Sequence, residues 1–244
     1  MNPDDVRKYF EIPEVADEYA FAVDRVGLWN SEKIVIEKYL PKTAQILELG
    51  CGAARVGINL ALMGYKNLAA SDFSPKMVEC ARAIAEFKRV NLPLSVEDAT
   101  DLSRRESGFY DGVLFCFNGF MQIPLQSRRL VCAKEIFRVL KKGGYFIFTT
   151  HSRSAKRNEK YWENEKKLWQ NANNNPKLDE YGDICYKSDY GELFIHSPIE
   201  SEVRATLKDA GFAEVFSDWR SNIANENAAV REFSDDCRFW VFKK

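Results

Sequence analysis

The stretch Ile46 to Gly57, ILELGCGAARVG, ends an apolar run in an acid and two close glycines, the order of a strand that turns sharply into a helix. A residue without Cβ lets a ligand approach the backbone at the strand's end, and the next helix points the positive end of its dipole there. A dinucleotide-binding turn spaces its glycines G-x-G-x-x-G. Here Gly50 and Gly52 are followed by Arg55 where the third should stand, and the next glycine is Gly57. The spacing turns the reading away from NAD, leaving an NAD-dependent oxidoreductase as a rival that cofactor competition would test.

After residue 45, short β-like runs alternate with longer helical patterns, the rhythm of a parallel sheet covered on both faces. Strands are expected near 46–49, 67–71, 93–97, 111–117 and 144–150, with helices near 53–63, 75–89 and 126–141. Ser74 and Pro75 suit the N-cap and first position of the second helix; Lys141, Lys142 and Gly143 read as a basic last turn and C-cap of the third. Upstream, Ser31 to Leu40 reads as a helix capped by Ser31 with Glu32 in its first turn. Residues 3–28, with Tyr9, Phe10, Tyr19 and Phe21, read as short amphipathic helices placed to lie over a site.

From His151 to Ser197 the rhythm breaks. A charged helical half bearing Trp162 and Trp169 precedes an alternating half that turns at Ser188 to Gly191, so a folded cap is expected rather than a loop of that length. The rhythm resumes with a helix opened by Ser197 and Pro198 over 198–210, a strand at 213–219 and a last strand at 237–243.

With 244 residues, one domain over 1–244, carrying an N-terminal helical segment 1–44 and the cap insertion 151–197, fits better than two domains. No apolar run approaches the ~20 residues of a membrane span. The start, MNPDDVRKYF, carries acids where a secretory leader needs a basic and then apolar stretch, so a cytoplasmic protein is expected. Six cysteines without a C-x-x-C pair and two histidines point to reduced, buried thiols and to no metal site. A net charge of −1 supplies no general attraction to nucleic acid.

The acids form a series. Glu48, Asp72 and Asp98 each stand at or just past the end of one of the first three strands, along one edge of the sheet. Asp72 is in register to accept hydrogen bonds from ribose hydroxyls, and Asp98 is placed near an adenine amino group.

Through ELGCG at 48–52, SDFSPKM at 71–77, EDATDL at 97–102 and EIFRVLKKGGYFIFTT at 135–150, the chain resembles the class I S-adenosylmethionine-dependent methyltransferases. The resemblance covers roughly 31–150 well and 198–244 in outline. It implies an α/β fold, a doubly wound seven-stranded, mostly parallel sheet of order 3-2-1-4-5-7-6 with the last strand antiparallel and helices on both faces. S-adenosyl-L-methionine would be the cofactor, lying over the carboxyl ends of the first strands. The resemblance assigns Gly50, Cys51 and Gly52 to the methionine part and Glu48 to its amino group. Asp72 goes to the ribose, Phe73 and Met77 to the faces of the adenine, and Asp98 with Ala99 to its polar edge. Phe117 and Asn118, just after the fourth strand, are further contacts. Ala54 stands where a third close glycine is common.

Transfer from a sulfonium methyl mainly needs the nucleophile held in line, and a base only where a proton must leave. His151, at the end of the fifth strand, and His196, at the end of the cap hairpin, are candidates for that base or for holding the acceptor; each could instead hydrogen-bond a loop. Cap aromatics such as Tyr161, Trp162, Trp169 and Tyr181 either line the acceptor pocket or form the cap's own core. Arg153, Lys156, Arg157 and Lys160 are interleaved with Glu159, Glu163 and Glu165, the pattern of a solvated face. The expected activity is methyl transfer to a small or medium-sized acceptor enclosed by the cap and the N-terminal helices. The alternatives are a tRNA base as acceptor, which the charge disfavours, and a non-catalytic cofactor-binding regulatory module.

Overall fold

Ile46, Leu47, Glu48 and Leu49 are all buried because the strand they form, β1, lies at the centre of a parallel sheet with both faces covered. A computed structural model describes residues 1–244. Three helices come first, α1 (Pro3–Phe10), α2 (Pro13–Arg25) and α3 (Asn30–Tyr39). After β1 (Ile46–Leu49) follow α4 (Arg55–Leu62), β2 (Leu68–Asp72), α5 (Pro75–Phe87), β3 (Leu94–Val96) and β4 (Tyr110–Phe115). Next come α6 (Gln126–Val139), β5 (Leu140–Thr150), α7 (Glu159–Gln170) and a separate two-stranded hairpin, β6 (Asp183–Ser188) and β7 (Gly191–His196). The chain ends with α8 (Glu200–Asp209), β8 (Ala213–Trp219), α9 (Arg220–Ile223), α10 (Ala228–Phe233) and β9 (Arg238–Lys243).

The main sheet has seven strands in the order β3-β2-β1-β4-β5-β9-β8. With the hairpin strands set aside this is the expected 3-2-1-4-5-7-6, and β9 runs antiparallel to both β5 and β8. The carboxyl ends of β1, β2 and β4 therefore open on one edge, and the reversal of strand order beside β1 makes the crevice where ligands of such sheets sit. No helix is long and apolar enough to cross a membrane.

Local boundaries depart from the sequence reading for identifiable reasons. Lys141, Lys142 and Gly143 are not the end of α6: the helix stops at Val139, and these residues begin β5, where Lys141 pairs with Asp111 at 2.7 Å. Gly143 takes φ +84° where the β4–β5 register slips, so this glycine serves an irregular strand and not a helix cap. Ser31 is not a cap either. Trp29 holds the N-cap position of α3 and the Glu32 carboxylate accepts its backbone N–H at 2.9 Å, leaving Ser31 buried one turn in. α8 starts at Glu200 instead of 198, with the Glu202 carboxylate accepting the Ile199 N–H. Ser74 does cap α5, and its hydroxyl also donates to the Phe10 carbonyl at 3.1 Å, which ties the roof helix α1 to the sheet's helical layer.

The hairpin turns between Ser188 and Gly191 as its alternation predicts. Its inner side chain Phe194 is fully buried with Val6, Phe10, Val15 and Met77, so the hairpin supports α1 and α2 from behind. Trp162 of α7 and Ile195 of β7 join the core that holds Phe146 and Phe148 of β5.

Candidate active site

The turn after β1 is built from backbone that few side chains permit. Gly50 and Gly52 take φ of +55° and +53°, and Ala54, where a third glycine is common, takes the same left-handed conformation at +60°. A Cβ on Gly50 would stand 2.3 Å from the Phe115 ring. The turn is clamped from β2: one Asp72 carboxylate oxygen accepts the Gly52 N–H at 2.8 Å and the other the Ser74 N–H at 2.9 Å. Glu48, buried at the end of β1, accepts the Gly57 N–H at 2.8 Å, inside the first turn and a half of α4. Arg55 is spent on structure, since its guanidinium makes two bonds of 2.6 and 2.7 Å to the buried Glu32 and a third to the Gly27 carbonyl.

A cavity opens over this turn, with an atom-free volume of about 1020 Å³ counting the space at its mouth. Glu48, Gly50, Cys51, Gly52, Asp72, Phe73, Asp98, Ala99 and Phe117 all border it, so the structure brings nine of the eleven expected cofactor contacts to one wall. Met77 and Asn118 do not border it. Met77 is fully buried behind Phe73, in the cluster that anchors the roof. Asn118 is turned the other way: its N–H donates to Thr149 Oγ1 at 2.9 Å and its amide meets His151 Nε2 at 3.2 Å.

The roof comes from α1, α2 and α10, through Pro3, Val6, Phe10, Tyr19, Ala22 and Phe233. No residue of 151–197 borders the cavity: Trp162 packs into the core beneath β5 and against Tyr181, while Tyr161, Tyr186 and Tyr190 are exposed. Sequence reasoning missed Gln122, which lies in the one-turn helix 119–122, and Phe233 in the six-residue α10; neither segment is long enough to show a period. Tyr19 and Phe10 carried a signal, the aromatic content of 3–28.

Burial raises the acids of the wall. Glu48 is pushed up to about 8 and Asp72 to about 6, in each case by desolvation that their N–H donors offset in part. A carboxyl whose folded value lies above its unfolded one contributes stability that is whole at low pH and is lost as pH rises through the folded value. The ligand-free protein should therefore lose stability between pH 5 and 8 through Glu48. Glu48→Gln should flatten that fall in chemical denaturation curves taken across the window; an unchanged slope would show that Glu48 ionises freely.

The two histidines occupy other places. His151 bonds to Asn118, and burial lowers its value, keeping the ring neutral near pH 7. His196 is buried, with Nδ1 on Asp183 Oδ1 at 2.8 Å and Nε2 3.7 Å from Glu202. Around it Arg129 pairs with Glu180 at 2.5 Å and Arg153 pairs with Glu202, an alternating set of charges that fastens the hairpin to α6 and α8. Glu180, Asp183 and His196 have ligand atoms within 4.8 Å of one another, but Glu180 is already paired with Arg129 and Asp183 is hydrogen-bonded to the imidazole Nδ1. Arg153, expected on a solvated face, is thus buried in this set, while Arg157 reaches Asp235 at the surface.

Residues 46–144 match the family model of a methyltransferase domain. Human EEF1A lysine methyltransferase 2 is 31% identical over 117 residues, covering 46% of this chain and 49% of the relative. The ubiquinone biosynthesis O-methyltransferase of Xanthomonas oryzae pv. oryzae is 28% identical over 112 residues, covering 46% and 44%. The chain thus matches about half the length of these relatives. An S-adenosylmethionine-dependent methyltransferase of Methanosarcina mazei shares the fold with a TM-score of 0.68, at 21% identity and over 86% of this chain and 96% of that one. With the strand order, the glycine turn and the acids that follow it, residues 46–144 form a methyltransferase domain, set in the fold of the class I S-adenosylmethionine-dependent methyltransferases.

Proposed function

We infer that this protein moves the methyl group of S-adenosylmethionine to a small molecule held beneath its N-terminal helices. The observation that carries the reading is one continuous cavity, with a glycine turn and buried acids at one end and an apolar roof at the other. The cofactor fits the residues present. Glu48 and Asp72 are buried acids with no salt-bridge partner, the groups a positively charged ligand needs. Asp72 takes the ribose hydroxyls, Phe73 one face of the adenine, Asp98 and Ala99 its edge. Glu48 with Gly50, Cys51 and Gly52 holds the methionine part. Met77 acts from behind Phe73, and Asn118 with His151 shapes the turn that presents Phe117. When bound, the cofactor supplies an activated methyl, and the protein's task is to hold the acceptor in line with it. His196 has a fastening part in this reading.

The reading takes residues 1–244 as one unit, with 1–44 as its roof and 151–197 as the buttress of that roof. Six free cysteines support a reducing, cytoplasmic setting. The two relatives carry names for a protein lysine and for a biosynthetic oxygen as acceptor; a cavity roofed by packed helices favours the small molecule over a protein or a tRNA base. Calorimetry should show S-adenosylmethionine and its demethylated product, S-adenosylhomocysteine, binding at one site per chain, and formation of the product should depend on an added acceptor. Failure to bind either ligand sinks the reading. Binding without turnover on a broad metabolite panel would point to a regulatory module.

A further inference from the structure

The cavity's charge is all at one end. Glu48, Asp72, Glu97 and Asp98 belong to the ends of β1 to β3 or follow them. Of the two bordering arginines, Arg55 is locked to Glu32, and Arg128 is held by Asp98 and Thr100 at the rim. Beyond these, the wall toward the roof is Pro3, Val6, Phe10, Ala22, Ile123 and Phe233, and its only polar side chains are Tyr19 and Gln122.

An anionic acceptor would be buried there without a counter-charge, a cost of several kcal/mol that no contact repays. An ammonium could instead rest on an aromatic face, but the rings use their faces on one another. Phe117 and Phe233 are stacked with centroids 4.7 Å apart, Tyr19 meets Phe117 and Phe10 edge to face, and Phe10 meets Phe73 in the same way. No residue of this wall is placed to take a proton. Burial raises the Tyr19 phenol and the Cys51 and Cys116 thiols far above neutrality, and both histidines lie off the cavity.

Resting on the methyl-transfer reading above, we propose that the acceptor is an uncharged, largely apolar ring compound with one hydrogen-bonding group, which Tyr19 and Gln122 orient, and that its nucleophile reacts without a base from the protein. The Tyr19 hydroxyl and the Gln122 carboxamide both donate and accept, so they can hold a hydroxyl, carbonyl or ring nitrogen while the apolar roof covers the rest. Methyl transfer then balances simply: the acceptor's lone pair forms the new bond to carbon, the sulfonium bond breaks with its electrons staying on sulfur, and any proton on the acceptor leaves to water.

The test uses the complex with S-adenosylhomocysteine, so cofactor binding is measured first and stands apart from the acceptor result. Into that complex, 2-naphthol, 2-naphthoate and 2-naphthylmethylamine are titrated as neutral, anionic and cationic versions of one ring. The neutral ring should bind at least about tenfold more tightly than either charged twin. Tyr19→Phe and Gln122→Leu should each weaken it by about three- to tenfold while the S-adenosylhomocysteine dissociation constant stays within about twofold, which a merely structural role would not allow. With any neutral acceptor that turns over, kcat/KM against pH should follow the acceptor's own ionisation. Preference for a charged twin, no binding by the neutral ring in an intact cofactor complex, or variants that leave ring binding unchanged would each overturn the proposal. Loss of S-adenosylhomocysteine binding in the unmodified protein would overturn the cofactor reading instead.

Discussion

Asp72→Ala is expected to weaken S-adenosylhomocysteine binding by about a hundredfold or more, because a carboxylate that accepts two ribose hydroxyls contributes on the order of 1.5–3 kcal/mol per bond and about 1.4 kcal/mol is a factor of ten. The same substitution frees the N–H groups of Gly52 and Ser74, which Asp72 accepts at 2.8 and 2.9 Å, so it also releases the glycine turn. Asp72→Asn separates the two effects. Its amide keeps a single acceptor oxygen and the shape of the side chain but loses the charge, and it should fall between the wild type and alanine in calorimetric titrations. Burial holds the Asp72 carboxyl near 6, so affinity should also fall as pH drops through that value. Binding in Asp72→Ala within about fivefold of the wild type, in a protein that melts normally, would mean that the ribose is held elsewhere.

The sheet and its cofactor edge were readable because both write themselves into short stretches of sequence. A central parallel strand is buried on both faces and so appears as an unbroken apolar run, and the residues just past its end must serve whatever lies in the crevice. β1 with Glu48, β2 with Asp72 and the glycines between them follow that rule. The roof was readable only as composition. Phe10 and Tyr19 stand out as aromatics in an acidic segment, yet nothing in their spacing says that they meet Phe73 and Phe117 across the cavity.

What periodicity cannot supply is the partner of an apolar face. The hairpin expected around Ser188 to Gly191 exists, but its Phe194 packs onto α1 and α2 and does not border the cavity. For the same reason the sequence left open whether the cap's aromatics line the pocket or pack in a core. The histidines posed a different problem: both end strands, and nothing in the local sequence names their hydrogen-bond partners, Asn118 for His151 and Asp183 for His196. Lys141 to Gly143 met the rule for a helix end because a basic residue followed by a left-handed glycine serves a slipped strand equally well.

Arg55→Met is expected to destabilise the protein by about 3–5 kcal/mol, the cost of leaving one partner of a buried ion pair without the other. Glu32 is fully buried and keeps only the Trp29 N–H once the guanidinium is gone, while the Gly27 carbonyl loses its donor as well. Because Arg55 lies in α4 and Glu32 in α3, the pair joins the N-terminal helices to the helix that follows the glycine turn. Its charge also pulls the Glu48 carboxyl down, so the variant should hold Glu48 protonated to still higher pH. Removing both charges gives the decisive comparison. Glu32→Met combined with Arg55→Met leaves no orphaned ion and should recover most of the loss, since an apolar replacement of a whole buried pair is often neutral or better. Urea denaturation of the two single variants and the double one closes the cycle: a double variant no more stable than Arg55→Met would place the loss in packing against Trp29, over which the guanidinium sits at 5.0 Å, and not in the charge.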